Sequence, residues 1–252
     1  MFLGRLITAL LAALALPAAA ADPLTLAVAS NFSVPARDLG AQFQIETGFD
    51  VRMAAGSTGK LYAQIVNGAP FDVFLAADAE RPRLLEESGR GVAGSRFTYA
   101  IGSLVVWSID PAFSGTSCRS ALAKLGDRKL AIANPQTAPY GAAAKMFLQS
   151  ARLWEPLHAQ LVFGENVAQT LQYAATGNAS LAMIASSHAL VDGLPEPTCQ
   201  WPVPDTLHFP LEQQAILLER AADDTTALEF LRFLRSDAAR DIIARSGYTV
   251  TP

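Results

Sequence analysis

The sequence predicts an α/β fold built on largely parallel sheets, and two observations carry that prediction. Short apolar runs alternate along the chain with segments of helical periodicity, the pattern of repeated strand, loop and helix units. Four connecting loops, at Ser30-Asn31, residues 56–59, residues 138–140 and Asn166-Val167, fall directly ahead of a predicted helix. No repeat, charge run or low-complexity linker interrupts the pattern.

Residues 24–29 read as the first strand. The helix after it carries Ala36, Leu39 and Phe43 on one face, at i, i+3 and i+7, and ends at Gly48. Residues 50–54 begin the second strand, and Gly56-Ser57-Thr58-Gly59 leads into a helix with Leu61 and Ile65 inward and Gly68 as its C′ residue. Residues 71–76 form the third strand, and Asp78 caps the helix that holds Leu84 and Leu85. The grammar then repeats: strands over 103–107 and 129–133, a loop over 134–139, a helix over 140–149, a helix from Val167, and a buried strand over 181–185. Toward the C-terminus, 209–218 is a strand, and Ala227, Phe230, Leu231 and Leu234 make an apolar stripe. Ser236 caps a last helix that ends at Gly247.

Composition narrows the function classes. At 252 residues, 51% of them hydrophobic and 17% charged, the chain suits one large or two small domains with a substantial core. A net charge of −4 and the lack of a basic patch exclude nucleic acid as an expected partner. Residues 1–21 read as a secretory signal peptide: Arg5, an apolar run over 6–16, Pro17, then Ala19-Ala20-Ala21 as a small-residue cleavage site. No later run approaches the length of a membrane span. The mature protein is expected to start near Asp22, to be exported, and to be more acidic still, because the leader removes one Arg and no acid. Overall charge therefore repels anions, and any anion site must rest on local groups. The two cysteines, Cys118 and Cys199, favour a disulfide in an oxidising compartment, with two buried thiols as the alternative.

Catalytic and metal chemistry find little support. Around Gly56-Ser57-Thr58-Gly59-Lys60 a phosphate loop would need Gly at 54 and Ser or Thr at 61, where Ala54 and Leu61 stand. There is no Gly-x-Ser-x-Gly elbow, and His158, His188 and His208 fall in no triad spacing. Cys-x-x-Cys and His-x-x-x-His are absent, and the tyrosines (62, 99, 140, 173, 248) are scattered rather than clustered for ferric ion. What remains is a set of neutral loops. Ser30, Asn31, Ser57 and Thr58 offer hydroxyl and amide donors at predicted helix starts, and Tyr140 offers a phenol. A lone Ser or Asn in that position is ordinarily an N-cap, but helix N-termini are also natural anion sites. Lys60 is the sole cation in these loops.

With those residues in view, the sequence resembles the periplasmic molybdate-binding proteins, the substrate receptors of ABC importers. The resemblance runs along the whole mature chain. It is strongest at Ala27-Val28-Ala29-Ser30-Asn31-Phe32, at Gly56-Ser57-Thr58-Gly59-Lys60-Leu61-Tyr62-Ala63-Gln64-Ile65, at Asn67-Gly68-Ala69-Pro70-Phe71-Asp72-Val73-Phe74, over 94–102, and at Ala138-Pro139-Tyr140-Gly141. It implies a two-lobed class II periplasmic binding protein, each lobe a mixed, mostly parallel sheet flanked by helices. Lobe 1 is expected over 22–105 and 207–252, and lobe 2 over 106–206. The ligand positions it implies are Ser30, Asn31, Ser57 or Thr58, Tyr140, and the backbone amide of Val167. Where some members carry a tyrosine after the strand over 181–184, this chain has Ala185, which leaves Tyr140 to supply that phenol. The implied protein is a monomer without cofactor or catalytic activity. It holds molybdate or tungstate as an oxyanion, binds no metal ion directly, and delivers its ligand to a membrane permease. The alternatives are a receptor for sulfate, phosphate or ferric ion, and a secreted enzyme acting on a phosphorylated or sulfated small molecule.

Overall fold

A computed structural model describes residues 22–250, so the expected signal peptide lies outside the described residues. The first lobe begins with β1 (Leu24–Ala29), a 3-10 turn at Ser30–Phe32, α1 (Ser33–Thr47), β2 (Val51–Gly56), α2 (Thr58–Val66), β3 (Val73–Ala76), α3 (Glu80–Glu87) and β4 (Phe97–Gly102). The second lobe comprises β5 (Leu104–Ser108), α4 (Cys118–Ala123), β6 (Leu130–Ala133), α5 (Pro139–Ser150), α6 (Trp154–Leu157), β7 (Leu161–Gly164), α7 (Val167–Ala175), β8 (Leu181–Ala185), α8 (Ser186–Ala189) and β9 (Cys199–Pro202). The chain then returns to the first lobe with β10 (Leu211–Leu217), α9 (Thr225–Phe233) and α10 (Asp237–Arg245).

Each lobe holds one five-stranded sheet, in the orders β2-β1-β3-β10-β4 and β7-β6-β8-β5-β9. In both, the first three strands are parallel and the last two ladders antiparallel, so parallel and antiparallel pairings are equal in number. The antiparallel half arises because β5 and β10, the strands that follow the two lobe crossings, are inserted against the direction of their neighbours. β5 pairs with β8 and β9, so Leu104 and Val105 belong to the second sheet. The first crossing therefore falls at Ser103, two residues before the boundary expected at 105, and the second runs over 203–210.

Burial follows the strand period. Leu24, Leu26 and Val28 face a core shared with α1, α9 and α10, while Ala27 faces a second core with Leu61 and Ile65 of α2 and Leu85 of α3. The predicted stripe of Ala227, Phe230, Leu231 and Leu234 is buried along its length. One core fills the second lobe, and Ala29 and Ala77, at the carboxyl ends of first-lobe strands, pack into it. Three strands escaped the sequence reading: β4, and the four-residue β7 and β9. Cys118 and Cys199 are bridged, with Cα atoms 5.3 Å apart, tying the start of α4 to edge strand β9. No helix among the described residues is long and apolar enough to cross a membrane.

Candidate functional site

All four loops singled out in the sequence converge on one cavity. It is lined by Ala29, Ser30, Asn31, Gly56, Ser57, Thr58, Ala138, Pro139, Tyr140 and Val167, and the free space between atoms is about 180 Å³. The first-lobe loops follow β1 and β2, and the second-lobe loops follow β6 and β7. The cavity thus lies beyond the carboxyl ends of parallel strands, where helices begin and their first N–H groups lack partners in the helix.

Local chemistry frees those groups for a ligand. Ser57 occupies the N-cap position of α2, yet its side chain caps nothing. The residue is only 2% exposed and its Oγ has no hydrogen-bond partner. Buried hydroxyls are normally satisfied, so this one is available to bond a ligand in the cavity. Thr58 behaves differently: its Oγ1 accepts the N–H of Ala77 at 3.1 Å, which fixes the α2 loop to the end of β3. In the second lobe, Pro139 opens α5 without an N–H, so the first amide the helix presents is that of Tyr140. At α7, the side chain of Asn166 accepts from Ala168 N (3.0 Å) and Gln169 N (3.1 Å), which leaves the Val167 N–H outside the cap.

Asn31 and Tyr140 both line the cavity, and their side chains have partners or neighbours that the sequence reading did not foresee. Asn31 lines the cavity, but its side-chain amide is spent elsewhere, donating to Gln213 Oε1 (2.7 Å) and Tyr248 Oη (2.9 Å). Its backbone N–H stands at the start of the 3-10 turn, where the first N–H groups lack partners within the turn. The Tyr140 phenol lies over Gly102, where a Cβ would stand 2.1 Å from its oxygen, and that buried oxygen has no hydrogen-bond partner. Tyr140 packs in the second-lobe core and also lines the cavity. Burial, with the Tyr248 and Tyr99 phenols close by, holds the Tyr140 phenol well above its ordinary value. Burial likewise pushes Tyr248 up to about 12, so both remain neutral hydroxyls near pH 7.

The lobes meet closely around the cavity. Gly59 donates its N–H to Thr137 O at 2.8 Å, and a side chain at Gly59 would press against Thr137. Lys60 pairs at 2.6 Å with Glu165 of the opposite lobe, both half exposed. The single cation of the loops is thereby neutralised at the rim rather than turned inward. Behind the cavity, Ser187 and His188 reach from the second lobe to the carbonyls of Asn31 and Ser30. The sequence reading missed these two residues, together with Gln213 and Tyr248. Ser187 and His188 follow the carboxyl end of β8, so the strand-end rule that found the other four loops applied to them as well. Tyr248 and Gln213 carry no local signal. Among the described residues no cluster of His, Cys, Asp or Glu is placed to hold a metal ion.

A cavity between two α/β lobes, ringed by neutral donors and helix starts, is a ligand site of the binding-protein kind. The family model for bacterial extracellular solute-binding proteins matches residues 24–249. The chain belongs to that family. This solute-binding protein is 44% identical to the molybdate-binding protein ModA of Rhodobacter capsulatus, over 97% of this chain and 95% of that protein. It is 44% identical to ModA of Azotobacter vinelandii over 98% and 97% of the two chains. The solved structure of the Azotobacter vinelandii periplasmic molybdate-binding protein superposes with a TM-score of 0.85 at 36% identity, covering 91% of this chain and all of that one.

Proposed function

We propose that the protein is the exported binding component of a molybdate and tungstate importer, a monomer that captures the oxyanion between its lobes and delivers it to a membrane permease. Its ligand set in this reading is the hydroxyls of Ser30 and Ser57 and the backbone N–H groups of Asn31, Tyr140 and Val167, with Thr58 holding the α2 loop in place. The observation that carries the reading is the buried, unpartnered Ser57 Oγ in a cavity walled by helix starts. Relatives named for molybdate binding, alike over nearly the whole chain, support the choice of anion.

The chemistry follows from what the site lacks. A dianion held by N–H and O–H groups gains charge-assisted hydrogen bonds, which a water-poor cleft strengthens. No cation lines the cavity, so capture rests on donors that release the ligand once the lobes part. Closure about the crossings at 103 and 203–210 brings the two pairs of loops together and signals to the permease that the site is filled. Molybdate and tungstate are fully deprotonated near neutral pH, so every oxygen can accept. Hydrogen phosphate brings a proton to a site with few acceptors, at a cost of about 1–3 kcal/mol. Sulfate has shorter bonds and cannot reach every donor in a closed cleft sized for the larger ions.

Thermal melting with each oxyanion at equal concentration tests the proposal. A ligand at about 1,000 times its dissociation constant stabilises by about 4 kcal/mol. Clear shifts are expected with molybdate and tungstate and little with sulfate or phosphate. An equal shift with sulfate or phosphate overturns the choice of anion, and turnover of a phosphate or sulfate ester overturns the non-enzymatic reading.

A further inference from the structure

His188 and Ser187 are buried polar side chains that do not line the cavity, yet they touch the residues that do. The His188 Nε2 lies 3.1 Å from the Ser30 carbonyl oxygen, across the lobe boundary, and the residue is 4% exposed. Its neighbour Ser187 donates from Oγ to the Asn31 carbonyl at 2.9 Å and lies 3.1 Å from Tyr248 Oη. Tyr248 in turn donates to the same Asn31 carbonyl at 2.8 Å and receives the Asn31 side-chain amide. Two consecutive side chains of the second lobe therefore grip two consecutive carbonyls of the first-lobe loop that follows β1.

The protonation of His188 follows from its partner. A carbonyl oxygen can only accept, so Nε2 carries the hydrogen and in the neutral ring Nδ1 is the bare nitrogen, with the Val167 backbone also close to the imidazole. Burial lowers the His188 pKa from its ordinary value, which favours this neutral imidazole. The Ser30 carbonyl belongs to the same peptide group as the Asn31 N–H, and Ser33 Oγ also donates to it at 2.9 Å. A peptide that accepts at its oxygen donates more strongly at its nitrogen. The bonds from His188 and Ser33 thus fix and polarise the unit whose other end faces the cavity.

We propose that Ser187 and His188 form a latch across the lobes, made only on closure, that positions the Ser30-Asn31 peptide toward the anion and slows its release. The inference rests on the ligand reading above, in that the cavity must close around an oxyanion. Both are positioning residues, since neither lines the cavity. A latch formed only in the closed state leaves the ligand-free protein and the encounter rate unchanged, and its loss shows in the dissociation rate.

The test is stopped-flow binding of molybdate to the wild-type mature protein and to His188→Ala, His188→Gln and Ser187→Ala, with melting curves of each with and without ligand. Loss of one such bond in His188→Ala or Ser187→Ala is expected to speed release about two- to tenfold. The association rate and the ligand-free melting temperature should hold. His188→Gln, whose Nε2 amide can reach the same carbonyl, should release at close to the wild-type rate. The inference is overturned if release is unchanged in the alanine variants. It is equally overturned if ligand-free melting falls while the molybdate-induced shift stays whole, the mark of a purely structural role. Should wild type ignore molybdate, that failure belongs to the anion assignment. The same ratio of release rates is then read with whichever of tungstate, sulfate or phosphate shifts the melt, and a ratio of one overturns the latch.

Discussion

Ser57→Ala separates a ligand donor from a helix cap, because the two roles predict opposite outcomes in one variant. The Ser57 side chain makes no cap bond to α2 and no bond to any other group, so nothing in the ligand-free fold depends on it. A buried hydroxyl left unpaired costs about 1–3 kcal/mol, so its removal leaves ligand-free stability unchanged or raised. In a domain of this size each kcal/mol moves the melting temperature by about 2–4 °C. With the dianion bound, the same hydroxyl makes a charge-assisted bond worth about 1.5–3 kcal/mol, so its loss should weaken binding about ten- to 150-fold. Thr58→Ala is the contrast: it strips the partner from the buried Ala77 N–H and should lower ligand-free melting. Differential scanning fluorimetry and titration calorimetry with molybdate read both quantities. Were Ser57 a cap, Ala would cost about 0.5–2 kcal/mol and affinity would hold. A lower ligand-free melting temperature with unchanged molybdate affinity in Ser57→Ala would refute the reasoning.

Gly102→Ala should destabilise the protein by about 1–3 kcal/mol, because the new Cβ would stand 2.1 Å from Tyr140 Oη. Tyr140→Phe in that background should restore much of the loss in denaturant unfolding, and an absence of rescue would show that the phenol is not what fills the space. Unfolded, non-reduced protein should contain no titratable thiol, and reduction should lower the melting temperature. The Cys118–Cys199 bridge closes a separation of 81 residues, worth about 4 kcal/mol in the chain-entropy picture. Glu86 accepts the Gly94 N–H at 2.7 Å and pairs with Arg96 at 3.1 Å, which together hold its carboxyl below the ordinary 4.5. A depressed carboxyl stabilises above the unfolded value and loses that contribution as pH falls through the folded one. Glu86→Gln should therefore be less stable than wild type in urea at pH 7, with the gap closing by about pH 3.

The sequence by itself determined the alternation of strands and helices and the position of the four loops. Strand period, helical period and turn residues such as Gly48 and Gly68 act within a few residues, so they are legible along the chain. The same locality placed the Asn166-Val167 loop ahead of α7, where the Asn166 side chain caps Ala168 and Gln169. It also left β4, β7 and β9 unread, the last two because four residues are too few to carry a periodic signal. Side-chain direction was beyond its reach. Asn31 and Tyr140 sit where the sequence reading put them. Whether the amide turns to Gln213 and Tyr248, or the phenol to Gly102, depends on partners 182, 217 and 38 residues away. The same holds for the anchoring of Thr58, whose Oγ1 accepts the Ala77 N–H that only the packing of β3 beside the α2 loop supplies. Tertiary structure also decided the closure contacts of Ser187, His188 and Tyr248. A hydrogen bond across two lobes joins groups unrelated in sequence, and its partner exists only once both sheets are folded and facing each other.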